Sequence, residues 1–84
     1  MSNIVIYSTA NCSYCVRAKT LLAKKGVSYT EIRVDLDREK FAEMLSRSQG
    51  RRTVPQIFIN DQPIGGFTDL WALDKKGELD KLLG

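Results

Sequence analysis

The chain has no histidine, and its 84 residues include only two cysteines, two prolines and one tryptophan. Without histidine, two cysteines cannot by themselves close the four-ligand set of a structural zinc site. No stretch approaches membrane-spanning length, and no basic region followed by a long apolar segment opens the chain. Neither a membrane span nor a secretory leader is therefore expected. Charge of one sign is also scarce. Thirteen basic residues stand against 10 acidic ones, and a dispersed net charge of +3 reads as solvated faces rather than a nucleic-acid surface. There is no repeat, linker or low-complexity tract. With 43% apolar and 27% charged residues, the composition predicts one globular domain over 1–84 with a single modest core. A cytoplasmic location is the default expectation. Thiols stay reduced there, so a lone close-spaced pair points to catalysis rather than to a structural bridge.

The two cysteines form Cys12-Ser13-Tyr14-Cys15, where the short apolar strand Ile4-Val5-Ile6-Tyr7 hands over to a helical pattern. At an N-cap, the Cys12 sulfur accepts backbone N–H donors from Tyr14 and Cys15, and the positive end of the helix dipole favours a thiolate. Cys15 lies one turn deeper, in register with Ala18 and Leu22, and is expected to face the core. One sulfur is placed to attack and the other to resolve.

Residues 3–8 read as a central strand buried on both faces, followed by a helix over about Ser13 to Lys25 that stops at Gly26. In that helix Cys15, Ala18, Leu21 and Leu22 face inward, and Arg17, Lys24 and Lys25 point to water. An edge strand follows over roughly Ser28 to Val34, implying a right-handed parallel crossover. Asp35 or Asp37 caps a second helix bearing Phe41, Met44 and Leu45, which stops at Gln49-Gly50. Gln56 to Ile59 and Gln62 to Gly65 then form a hairpin about an Asn60-Asp61 turn, with Pro63 confining the last strand to an edge. Gly65-Gly66 opens a helix whose Leu70, Trp71 and Leu73 are expected in the core. Gly77 separates it from a short terminal helix.

With the cysteine motif, Thr53-Val54-Pro55 and Gly65-Gly66-Phe67-Thr68-Asp69 all placed, the chain resembles a glutaredoxin of the short bacterial dithiol type from Ile4 to Leu83. The resemblance implies an α/β thioredoxin fold, a four-stranded mixed sheet with helices on both faces. It also implies a glutathione-dependent thiol–disulfide oxidoreductase, with glutathione as reductant and glutathionylated or disulfide-containing proteins as partners. Cys12 is then the nucleophile and Cys15 the resolving thiol. The same resemblance makes the Val54–Pro55 bond cis, which would turn the Val54 backbone toward the ligand like an added strand. Tyr14, Arg52, Thr53, Val54, Pro55, Gly66, Thr68 and Asp69 are the expected glutathione-binding residues. N–H groups at the helix start would hold the γ-glutamyl carboxylate, and Asp69 would meet its ammonium group or serve as an ordinary first-turn acid.

Two positions depart from the family pattern. Thr9 stands where many glutaredoxins carry lysine, leaving Arg51, Arg52 or Arg17 as the substitute cation. Ser13 replaces the commoner proline, a residue suited to the first helical position. The serine raises an alternative to the mostly monomeric reductase. In that reading Cys12 ligates a 2Fe-2S cluster shared between two chains, with two glutathiones completing the four thiolates.

Overall fold

The computed structural model describes residues 3–84; Met1 and Ser2, with which the expected domain begins, lie outside the described residues. The elements run β1 (Ile4–Ser8), α1 (Ser13–Lys24), β2 (Thr30–Arg33), α2 (Arg38–Arg47), β3 (Gln56–Ile59), β4 (Gln62–Gly65), α3 (Phe67–Lys75) and α4 (Glu78–Leu83). The strands form one sheet in the order β2-β1-β3-β4. Pairing of β1 with β2 is parallel, and the β1–β3 and β3–β4 pairings are antiparallel. Position in the sheet explains strand composition. Central β1 and β3 are almost wholly apolar, whereas edges β2 and β4 carry Thr30, Glu31, Arg33, Gln62 and Pro63.

Alternation along β1 and β3 divides the core between the two sheet faces. Ile4, Ile6, Ile57 and Ile59 pack with Ala18, Leu22, Leu70 and Leu79, which places α1, α3 and α4 on one side. Tyr7 and Phe58 pack with Val34 and Met44, which places α2 on the other. A polar contact anchors that second layer. The Tyr7 hydroxyl donates to Glu43 Oε2 at 2.6 Å and accepts from Arg47 Nη1 at 2.8 Å, while the Arg47 guanidinium lies 4.2 Å from the Phe58 ring centre.

Most local stops and turns are those the sequence predicts. Asn60 and Asp61 both adopt positive φ, 53° and 65°, which a two-residue hairpin turn of the primed type requires. Gly26 takes φ of 72° just beyond α1. Of the two candidate caps for α2, Asp37 serves: its Oδ1 accepts from the Glu39 and Lys40 N–H groups. Asp35 instead accepts from Arg33 and the Ala10 N–H, and the Arg33 guanidinium beside it lowers its carboxyl to about 2.

Two expectations fail. Lys25 does not simply point to water, because its Nζ bridges Asp74 at 2.6 Å and Asp80 at 3.0 Å and ties the end of α1 to α3 and α4. Trp71 is not core; it is 48% exposed. The buried stripe of α3 runs through Phe67, Leu70 and Leu73, and one residue beyond Leu70 turns the helix by about 100°, carrying Trp71 outward. No helix among the described residues is long and apolar enough to cross a membrane.

Buried Ser8 donates to Glu31 Oε2 at 2.6 Å, and Lys19 reaches the same oxygen at 2.9 Å. These two bonds, that of Ser8 first, hold the Glu31 carboxyl below its ordinary value. A carboxyl depressed by folding stabilises the fold above its unfolded pKa, near 4.5, and that contribution is lost as pH falls through the lower folded value. Denaturant midpoints at pH 7 and pH 3 are therefore expected to differ less in Glu31→Gln than in the parent chain. An unchanged difference would remove Glu31 from the acid response.

Candidate active site

Three backbone segments meet at the head of α1. The first carries both cysteines, and Cys12 is the N-cap, with extended backbone at φ −131° and ψ 102°. Its carbonyl accepts the first helical hydrogen bond from Val16, and its Sγ accepts the Cys15 N–H at 3.0 Å. That sulfur thus sits where a helix leaves its first donors unsatisfied and its dipole is positive. Cys15, at 1% exposure, lies behind it, and a disulfide joins the pair with Cα atoms 5.2 Å apart. One sulfur is reachable and the other is screened by the core.

The second segment is Thr53-Val54-Pro55, where the Val54–Pro55 bond is cis. The Val54 carbonyl oxygen lies 3.8 Å from Cys12 Sγ, so this loop flanks the reactive sulfur. Its position is fixed by Gln56, a buried polar side chain whose Nε2 donates to the Thr53 carbonyl at 2.9 Å and to Thr53 Oγ1 at 3.2 Å. Sequence reasoning passed over Gln56. A lone amide opening an otherwise apolar central strand was the available signal, because a buried amide must find partners.

The third segment is Gly65-Gly66 and the start of α3. Gly66 caps the helix, and the Asp69 carboxylate accepts its N–H at 2.9 Å, half of a capping box. Gly66 also backs onto the proline loop, since a Cβ there would stand 3.6 Å from the Pro55 carbonyl oxygen. Tyr14, 51% exposed, stacks on Phe67 with ring centroids 6.1 Å apart, and Arg17 lies 5.3 Å from the Tyr14 ring centre.

Cys12, Cys15, Tyr14, Thr53, Val54, Pro55, Gly66, Thr68 and Asp69 thus fall on three neighbouring segments. The Arg52 guanidinium lies 5.5 Å from the Phe41 ring centre on the α2 side. Arg51 is the arginine beside the glycine corner, with Nη1 3.1 Å from where a Gly65 Cβ would stand. For a cluster, one chain offers a single reachable sulfur. Among the described residues no group of three or more His, Cys, Asp or Glu could hold a metal ion. One chain alone therefore does not hold such a cluster, and the shared-cluster alternative would draw its other thiolates from a second chain and two glutathiones.

A reachable sulfur at a helix N-cap, a buried partner one turn on and a neighbouring cis-proline loop define a dithiol–disulfide centre of the thioredoxin fold. The chain belongs to the glutaredoxin family, whose members are thiol oxidoreductases; the family model described as Glutaredoxin matches residues 4–64. It is 55% identical over 83 residues to Glutaredoxin 3 of Escherichia coli (strain K12), covering 99% of each chain. A glutaredoxin from Brucella melitensis, solved in solution, is 49% identical with a TM-score of 0.83 over 96% of this chain and 87% of that one. A buckwheat glutaredoxin–glutathione complex is 32% identical with a TM-score of 0.87, over 98% of this chain and 76% of that one.

Proposed function

We propose that the chain is a glutathione-dependent reductase of glutathione mixed disulfides and protein disulfides, acting as a monomer in the cytoplasm as one domain over 1–84. The observation that carries this reading is the contrast between the two sulfurs: Cys12 reachable at the N-cap, Cys15 buried behind it. In the reduced protein the Cys12 thiolate attacks the glutathione sulfur of a mixed disulfide. A Cys12–glutathione disulfide forms, and the substrate leaves as its thiolate, which takes up a proton. A second glutathione thiolate then attacks the bound glutathione sulfur, releasing glutathione disulfide and restoring Cys12. With a protein disulfide, Cys12 bonds one substrate sulfur and frees the other. Cys15, as thiolate, then attacks Cys12, closing the intramolecular disulfide and releasing the second substrate thiol. Two glutathiones reduce that disulfide.

Glutathione enters this reading through the family and through the buckwheat complex that contains it. Here its backbone would pair with Val54 as an added strand, flanked by Thr53 and Pro55, with Tyr14 as a wall. Asp69 engages the Gly66 N–H, so in this reading the γ-glutamyl carboxylate would be met by the Phe67 and Thr68 N–H groups. The Asp69 carboxylate would still offer a counter-charge to the ammonium group beside it. Arg51, next to Gly65, and Arg52, over Phe41, add positive charge on the approach of a tripeptide with two carboxylates.

The test is reduction of a glutathionylated peptide with glutathione as the only reductant, its disulfide recycled by glutathione reductase. The expected result is catalysed turnover with ping-pong dependence on the two substrates. No acceleration over glutathione alone would overturn the reading.

A further inference from the structure

Outward-facing Trp71 borders a groove of about 420 Å³ between α1 and α3. Val16, Phe67 and Trp71 supply its apolar surface, and Arg17, Lys24 and Lys75 supply positive charge. Val16 is 55% exposed and Trp71 48%, and the Lys75 ammonium lies 5.1 Å from the Trp71 ring centre, so apolar surface and positive charge adjoin. The acid in the lining, Asp74, is held by Lys25 at 2.6 Å, so the three other cations set the sign of the field. The groove continues into the redox centre. Phe67 stacks on Tyr14, and Val16 lies one helical turn beyond Cys12.

We propose that this groove docks protein substrates and selects an extended acidic segment, with an apolar anchor, on one side of the reacting cysteine. The inference rests on the reading of the chain as a reductase of protein disulfides. A helix rises 1.5 Å per residue, so Val16 lies about 6 Å and Lys24 about 18 Å along α1 from Cys12. An extended chain advancing about 3.3 Å per residue spans those distances in about two and about five residues. An apolar side chain about two positions from the target cysteine therefore meets Val16 and Trp71. Carboxylates about two to five positions away meet Arg17, about 7.5 Å along α1, and Lys24 at its far end, with Lys75 of α3 lining the same groove. Glutathione, held from the Val54 and Thr68 side in the proposed mode, needs none of Trp71, Lys24 or Lys75.

Trp71 is the sole tryptophan, so its fluorescence reports occupancy of the groove directly. The oxidised full chain is titrated with a peptide of about a dozen residues in which serine replaces the cysteine, leucine follows two positions on and aspartates come next. A counterpart carries lysines for the aspartates. The acidic peptide is expected to shift the fluorescence saturably and to bind at least about tenfold tighter than the basic one. The double variant Lys24→Glu/Lys75→Glu is expected to reverse that order. In turnover, the same variant should raise KM for an acidic disulfide peptide about tenfold, leave kcat unchanged and reduce a glutathionylated cysteine at the parent rate. Equal affinity for the two peptides, or an unaltered order in the double variant, would overturn the proposal. A fluorescence change that follows protein concentration without peptide would overturn it too, by assigning the groove to a second copy of the chain. Failure of the parent chain to reduce the glutathionylated cysteine would instead strike the reductase reading, because the titration needs no turnover.

Discussion

Replacing Cys12 with serine is expected to lower reduction of both a glutathionylated peptide and a protein disulfide by on the order of a thousandfold or more. Cys15→Ser is expected to divide the two substrates, keeping most activity on the peptide and losing most on the protein disulfide. The asymmetry follows from where the two sulfurs lie. Cys12 occupies the N-cap, where the Cys15 N–H already donates to its sulfur and the helix dipole favours negative charge. A serine hydroxyl there keeps the cap but is not ionised near neutral pH. Cys15 is buried, so an incoming disulfide does not meet it; its part begins once a mixed disulfide on Cys12 must be opened from within. Free glutathione can open the small mixed disulfide without it, whereas a bulky protein leaves that route slow. The readouts are the two steady-state rates for each variant, with mass spectrometry of the trapped protein adduct in Cys15→Ser. Substantial activity in Cys12→Ser on either substrate would sink the assignment of the nucleophile. Equal losses on both substrates in Cys15→Ser would make that residue structural rather than resolving.

The features legible in the sequence were those set by near neighbours in the chain. The apolar run of β1, the Asn60-Asp61 turn, the Gly26 stop and the Cys12 cap each depend on a few adjacent residues and a fixed periodicity. Partners distant in sequence were not legible. Lys25 reads as a solvated helix end until α3 and α4 bring Asp74 and Asp80 to it. Tyr7 reads as strand core, yet its hydroxyl is paired with Glu43 and Arg47, 36 and 40 residues away. Trp71 reads as core from its spacing with Leu70 and Leu73, because spacing alone does not fix which residue centres the buried stripe. The candidate site divides in the same way. Its motifs stand out as strings, but which arginine accompanies them does not, since Arg51 and Arg52 are adjacent and only the fold sends one to Gly65 and the other to Phe41.

The second large effect is expected at Gly65, and adjacent Gly66 supplies its control. Gly65 pairs with Ile57 where the β3–β4 register shifts, and it holds φ of 112°, a region essentially closed to residues with a side chain. A Cβ built there overlaps the Asp69 carboxylate, the group that accepts the Gly66 N–H and completes the start of α3. Gly65→Ala must therefore strain the strand and displace Asp69 together. Backbone strain of about 1–3 kcal/mol and a lost hydrogen bond of about 1 kcal/mol give an expected destabilisation of about 2–4 kcal/mol. Gly66 is different. Its φ of −93° is open to any residue, and a Cβ there meets the Pro55 carbonyl oxygen at an ordinary 3.6 Å. Gly66→Ala keeps the backbone N–H and is expected to cost less than about 1 kcal/mol. Function should follow the same order, because the Phe67 and Thr68 N–H groups can meet a carboxylate only while the helix start stays in place. Urea unfolding and the KM for glutathione in each variant decide the matter: Gly65→Ala should lower the midpoint and raise KM, while Gly66→Ala changes both little. Equal behaviour of the two variants would show that neither the positive φ nor the Asp69 contact constrains this corner.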